Sequence, residues 1–270
     1  MVYLARYDGG FVQEFHMIFE NRAVTDQSAL VKMRTYKNLP ISEWDVTLNG
    51  IPEDNRNGME VTMNWIAMDI DNGDVFYTDS NGLEMQKREL DFRTTWDYSS
   101  NQKVSGNYYP VNSAIAIRDE NTNVQMTVMN DRSQGGSVME TGRIELMQNR
   151  RLYFDDFRGV GEALNERDSN GQPVIVQATY YLHIFDREEE DSYQRPGQML
   201  MDEPVQAFFS FEDEILFTID GLEQPRGNPL SDIVTGDSKL VPLKYAVFPV
   251  SQNKIRVRLS HIGDKFDIPN

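Results

Sequence analysis

Hydrophobic and polar residues alternate in short runs along most of this chain, with a period of two. Phe15, Met17 and Phe19 interleave with Glu14, His16 and Glu20; Val31 and Met33 with Lys32 and Arg34; Trp44, Val46 and Leu48 with Glu43, Asp45 and Thr47. Met59, Val61, Met63, Trp65 and Ala67 form the longest clean run, opposite Glu60, Thr62 and Asn64. Successive side chains of a strand point to opposite faces, so each run predicts a strand with one buried and one wetted face. The pattern returns at Ile115 and Ile117 against Ala114, Ala116 and Arg118, at Val124, Met126 and Val128, at Ile144 and Leu146, and over Val174 to Ile184. Phe208 to Phe211, Ile215 to Ile219, and Ile255, Val257 and Leu259 read as three further strands.

The breaks between runs are built from turn formers: Asp8-Gly9-Gly10, Asn49-Gly50, Asp71-Asn72-Gly73-Asp74, Asn130 to Gly136 and Asp168 to Gly171. Leu83 to Ser105 reads as irregular, Glu188-Glu189-Glu190-Asp191 as a solvated acidic loop, and Pro225 to Pro229 as a rigid one. Helix is expected for one turn at most, near Ser28 or within Met199 to Val205. Short strands at this spacing predict an all-β fold, a large antiparallel β-sandwich. It is read as one domain over residues 1–270, with a soft boundary near Arg195-Pro196-Gly197. Val174-Ile175-Val176 and Ala207-Phe208-Phe209 are apolar on both faces, as covered strands are.

Charge and cysteine content narrow the chemistry. The 43 acidic and 26 basic residues leave a net charge of −17, which argues against binding a phosphate backbone with clustered Lys and Arg. The absence of cysteine excludes disulfides and thiolate metal sites. No run is long and apolar enough for a signal peptide or a membrane-spanning helix.

Four ordered motifs say more: FYTDSNG at Phe76–Gly82, GNYYPVN at Gly106–Asn112, DRSQGGS at Asp131–Ser137, and a paired-arginine strand running into DDFRGVGE at Asp155–Glu162. With their spacing they resemble glycoside hydrolase family 38, the retaining α-mannosidases, and most of all the lysosomal type. The resemblance runs from about Phe11 to Leu164 and covers only that family's β-rich C-terminal region. It implies a supersandwich similar to galactose mutarotase. It also implies that the nucleophile and the zinc-binding residues belong to an N-terminal α/β domain missing from this sequence, and that the compartment is the lysosome. The expected function is therefore the non-catalytic C-terminal part of a retaining zinc-dependent α-mannosidase, inactive alone. It would pack on the catalytic domain and complete a pocket for terminal α-mannose of oligosaccharides. The alternative is a free-standing carbohydrate-binding or scaffolding β-domain.

The residues themselves offer no catalytic set. Retaining glycosidases place two carboxylates about 5–5.5 Å apart, and Asp155 and Asp156, as strand neighbours, would face opposite ways. His16, His183 and His261 lie far apart without a local partner histidine, so no metal site is assigned and the three are read as half-exposed strand residues. Asp79, Asn81 and Gly82 read as a turn whose side chains bond their own backbone. Asp131, Arg132 and Gln134 make either a loop folded by an internal Asp–Arg pair or a polar surface for a sugar. Of Arg150 and Arg151, one is expected to face inward and pair with a carboxylate such as Asp155. Arg118, beside Asp119 and Glu120, reads as a solvated charge worth under about 0.5 kcal/mol. Arg158 is the one candidate for substrate binding: the resemblance implies that the arginine at this Arg-Gly position lines the pocket. A clamp between Arg158 and Asp155 or Asp156 is the other reading.

Overall fold

The computed structural model describes residues 2–20, 27–52, 58–159, 161–202, 204, 243–251 and 254–261. In chain order the strands are β1 (Val2–Asp8), β2 (Val12–Glu20), β3 (Gln27–Tyr36), β4 (Ser42–Leu48), β5 (Met59–Ile66), β6 (Val75–Ser80), β7 (Glu84–Glu89), β8 (Tyr109–Val111), β9 (Ala114–Asp119), β10 (Val124–Asn130), β11 (Gln134–Glu140), β12 (Arg143–Arg151) and β13 (Val176–Asp186). A helix, α1 (Arg187–Asp202), follows, and then β14 (Leu243–Ser251) and β15 (Lys254–His261).

The chain divides into two units, residues 1–202 and 203–270. In the first, nine antiparallel strands order as β1-β2-β3-β4-β13-β10-β9-β6-β7, and four more as β5-β12-β11-β8. Side chains directly opposite across the ladders share a face, so one row can be followed through the larger sheet: Met17, Val31, Val46 and Ala178, then Leu182, Val128 and Ile115. This row packs on Trp65, Ile144, Leu146, Val138 and Val111 of the smaller sheet to form one core. Trp65 joins the two sheets, edge-on to Tyr180 at 4.9 Å and to Trp44 at 6.3 Å. The β-sandwich expected from the alternation is the fold observed. In the second unit, β14 and β15 pair as antiparallel partners. The readings at residues 207–211, 215–219 and 225–229 lie outside the described residues.

Four local expectations change. First, β9 and β10 are buried on both faces almost throughout, with Ile115, Ala116, Ile117, Gln125 and Thr127 all at 0% exposure; these are interior strands, covered by the small sheet on one side and by α1 on the other. Second, α1 replaces the solvated acidic loop: Glu190 is fully buried, and Arg195-Pro196-Gly197 lies within the helix. Third, the irregular stretch after Leu83 opens with β7, which pairs with β6. Fourth, Asn49-Gly50 closes no hairpin. Asn49 N still donates to Ser28 O, and the chain then crosses to the other sheet. Gly50 is needed there for room, since a Cβ would stand 2.5 Å from Pro173.

Candidate functional site

Three of the four motifs meet in one corner, and Asp79 is its centre. This carboxylate is 3% exposed. Its Oδ2 accepts from Gly82 N at 2.8 Å, closing the Asp79–Gly82 turn, while Oδ1 accepts from the backbone N–H groups of Asn112, Ser113 and Ala114 at 2.8, 2.8 and 3.1 Å. Asn81 and Gly82 take φ of 57° and 71° to make that turn, as asparagine and glycine can. The third motif joins through Gln134, which pairs with Val111 across β11 and β8, and the preceding Asn130 donates its Nδ2 to Val111 O at 3.2 Å. Gly135 and Gly136 belong to β11 rather than to a turn. A Cβ at Gly136 would stand 2.7 Å from Leu146 Cδ2 and 2.8 Å from Val111 Cγ2, so glycine is demanded by packing.

Asp131 and Arg132 stay exposed in this corner, while Gln134 is half-buried. Asp131 pairs with Arg132 at 2.9 Å and accepts from Thr179 N at 3.1 Å. Gln134 holds the Tyr180 hydroxyl at 2.9 Å and Met147 O at 2.7 Å. Burial pushes the Tyr180 phenol up to about 12, so it serves here as a neutral bonding group. The Asp–Arg pair expected within Asp131–Gln134 is present, on an exposed stretch.

The fourth motif stands apart on an excursion from the end of β12. Arg151, 4% exposed, donates Nη1 to Ile51 O at 2.6 Å, and the Tyr153 hydroxyl donates to Pro52 O at 3.2 Å. Leu152 N bonds Leu164 O at 2.8 Å, tying the two ends together. Between them the chain projects outward: Phe154 is 70% exposed, Phe157 is 87% exposed, and Arg158 is exposed too. Asp155 does not pair with Arg158, nor does Asp156. Asp155 Oδ1 accepts from Phe157 N at 2.6 Å and Asp156 Oδ1 from Arg158 N at 3.0 Å. These two carboxylates shape backbone, and the Arg158 guanidinium meets no partner among the described residues. Phe157 sits at φ 57°, a left-handed conformation that costs a bulky residue about 1–3 kcal/mol. A Cβ at Gly159 or Gly161 would meet nothing within 4 Å. The hollow at the root of the loop, lined by Ile51, Arg151, Leu164, Pro173 and Val174, measures about 30 Å³, enough for a water or two and not for a sugar ring.

The remaining candidates resolve as structural groups. Arg118 is no solvated charge: its guanidinium lies 3.9 Å from the Tyr77 ring centroid, and Nε donates to the buried Gln125. His16 bonds Glu14 at 2.5 Å. His183 is fully buried rather than half-exposed, with Nδ1 2.7 Å from Glu190 Oε2. His261 pairs through its backbone with Leu243. Among the described residues no group of three or more His, Asp or Glu side chains could hold a metal ion.

Comparison with known proteins completes the picture. Residues 7–158 match the glycosyl hydrolases family 38 C-terminal domain. The chain belongs to this family. The match runs from the end of β1 through the whole small sheet to Arg158, while β13 and α1 lie beyond it. The chain is 45% identical over 139 residues to the lysosomal alpha-mannosidase of Cavia porcellus, covering 52% of this chain and 14% of that protein. It is 41% identical over 154 residues to an alpha-mannosidase of Arabidopsis thaliana, covering 56% of this chain and 15% of that one. The matched part of the chain thus spans about a seventh of the length of these relatives. Among solved structures, a GH36 alpha-galactosidase from Geobacillus stearothermophilus aligns over 70% of this chain and 27% of its own, with TM-score 0.36 and 8% identity.

Proposed function

We propose that this family 38 chain is the C-terminal β-sandwich part of a retaining, zinc-dependent α-mannosidase acting on terminal α-mannose of oligosaccharides. In this reading it carries no catalytic residue. It packs on an N-terminal catalytic α/β domain and closes one wall of the pocket with Arg158. The observation that carries the reading is the loop from Leu152 to Leu164. Its root is fixed by three hydrogen bonds, its tip is exposed, and its arginine is paired with nothing among the described residues. An arginine built this way has its donors available for an outside acceptor. The small hollow beneath it supports a shared pocket, because the loop needs a second surface to enclose a sugar.

The test has two arms. The isolated chain is expected to release no aryl α-mannoside product and to hold no stoichiometric zinc after dialysis; turnover or zinc surviving repurification would overturn the reading. In the enzyme assembled with its catalytic half, Arg158→Ala removes a charge-assisted hydrogen bond worth about 1.5–3 kcal/mol. That corresponds to roughly a ten- to hundredfold loss in kcat/KM. Lysine restores part of it, lacking the planar fork. Both variants should melt with the wild type, since the side chain is exposed. An Arg158→Ala enzyme that melts early and keeps its turnover would make the arginine structural.

A further inference from the structure

Phe157 is the least expected residue of this loop. Its ring is 87% exposed, so it adds nothing to the core, and its backbone lies at φ 57°. Two aspartates in succession hold that conformation. Asp155 accepts from the N–H of Phe157 and Asp156 from that of Arg158, each two residues ahead of the carboxylate. The base beneath is pinned to Ile51 and Pro52. A strained backbone persists only where its surroundings over-determine it, and here those surroundings place a bare aromatic ring next to a guanidinium that meets no partner among the described residues.

We propose that Phe157 is a substrate-contacting residue that stacks on the apolar C–H face of a hexose while Arg158 bonds its hydroxyls, with Asp155 and Asp156 as the positioning residues. This rests on the pocket-wall reading above and adds to it the second contact. Ligand sites combine apolar and aromatic walls with a few placed polar groups, and one ring beside one donor fork is the smallest version of that. A protein surface would fit less well. Burying Phe157 in an interface would also bury the neighbouring guanidinium, which then requires a carboxylate partner; neutral sugar hydroxyls accept from it without one. A Cβ at Gly159 or at Gly161 would meet nothing within 4 Å, so neither glycine is crowded by its neighbours.

The experiment uses the assembled enzyme, this chain with its catalytic half, and a mannose oligosaccharide. Glycine enters the left-handed region freely, so Phe157→Gly should keep or raise the melting temperature while KM rises about three- to tenfold. Phe157→Tyr keeps an aromatic face and should raise KM less than Phe157→Gly does. Asp155→Asn, which can still accept from Phe157 N, should raise KM less than Asp155→Ala, with kcat less affected in both. Unchanged KM in Phe157→Gly overturns the proposal. So does a rise in KM that tracks loss of the assembly on size exclusion, which would make Phe157 an interface residue. If the wild-type assembly cleaves no α-mannoside, the mannosidase reading itself falls and takes this proposal with it; if it cleaves and Phe157→Gly is silent, this proposal alone falls.

Discussion

Asp79 shows what one buried side chain can organise. Four backbone donors from two distant motifs converge on it, and hydrogen bonds to a charged group are worth about 1.5–3 kcal/mol each before their mutual dependence is counted. Asp79→Ala would strand the buried N–H groups of Ser113 and Ala114 and is expected to cost about 3 kcal/mol or more, read as a lower urea midpoint. Asp79→Asn keeps one accepting oxygen and should cost less than the alanine. Equal midpoints for all three proteins would refute this role. The bond to Gly82 was legible in the sequence, because an aspartate three residues before a glycine is a turn signal. The bonds to residues 112–114 were not, since no local pattern shows which loop a carboxylate will meet. Arg118 was misread for the same reason. Its acidic neighbour Asp119 is occupied by the N–H groups of Asn121, Thr122 and Asp71, which leaves the arginine to Tyr77 and Gln125. Losing that stacked, hydrogen-bonded contact in Arg118→Ala should cost about 1–2 kcal/mol rather than nothing.

At the scale of elements, the strands announced themselves and α1 did not. Alternation is a local signal, and it located β2 to β5 and β13 well. It could not foretell that β9 and β10 would be covered on both sides, because that depends on α1. The helix escaped notice because the face it buries is polar. Glu190, Gln194 and Gln198 fall four residues apart on one side, all under a tenth exposed, where an apolar stripe would ordinarily mark a helix. The sheet beneath answers in kind: Thr127 donates to Glu190 Oε1, and His183 bonds Oε2. Tyr193 stacks on Phe185 at 4.7 Å, and Arg195 reaches Leu83 O at 3.0 Å. A helix docked by such a network depends on the buried Glu190 carboxylate. Glu190→Ala leaves the buried His183 Nδ1 and Thr127 hydroxyl without this partner and should cost about 1–3 kcal/mol for each stranded group. Amide exchange should locate the loss, with residues 187–202 opening first while β10 stays protected. Simultaneous opening of helix and sheet would mean that α1 is no separate unit.

For the whole molecule the governing quantity is charge. With 43 acidic and 26 basic residues, the folded chain repels itself at neutral pH, and protonating exposed carboxylates relieves that repulsion. Stability is therefore expected to rise as pH falls from 7 toward about 5. Specific carboxylates then reverse the trend. Across β2, β3 and β4, Arg34 gathers Glu14, Glu43 and Asp45 at 2.5, 2.7 and 2.6 Å, and His16 with Arg34 holds the Glu14 carboxyl below its ordinary range. The backbone N–H groups of Asn121 and Thr122 do the same for Asp119. A carboxyl with a folded-state pKa below its unfolded value stabilises the fold at every pH above that unfolded value, about 4.3 for Glu and 3.9 for Asp. The contribution disappears as pH falls through the folded value. The melting temperature should thus peak near pH 5 and drop below about pH 4. Removing the hub tests the assignment: Arg34→Met frees three carboxylates, so it should lower Tm at pH 7 and weaken the dependence on pH below about 4.5. The alkaline side has the opposite sign, because burial, with Glu43 second, pushes the Tyr36 phenol up to about 12. That stabilisation is complete below about pH 10 and is lost as pH climbs through 12. Thermal melts from pH 3 to pH 11 on both proteins decide the matter, and a wild-type Tm that falls steadily from pH 7 to pH 5 would show that the specific pairs outweigh the net charge.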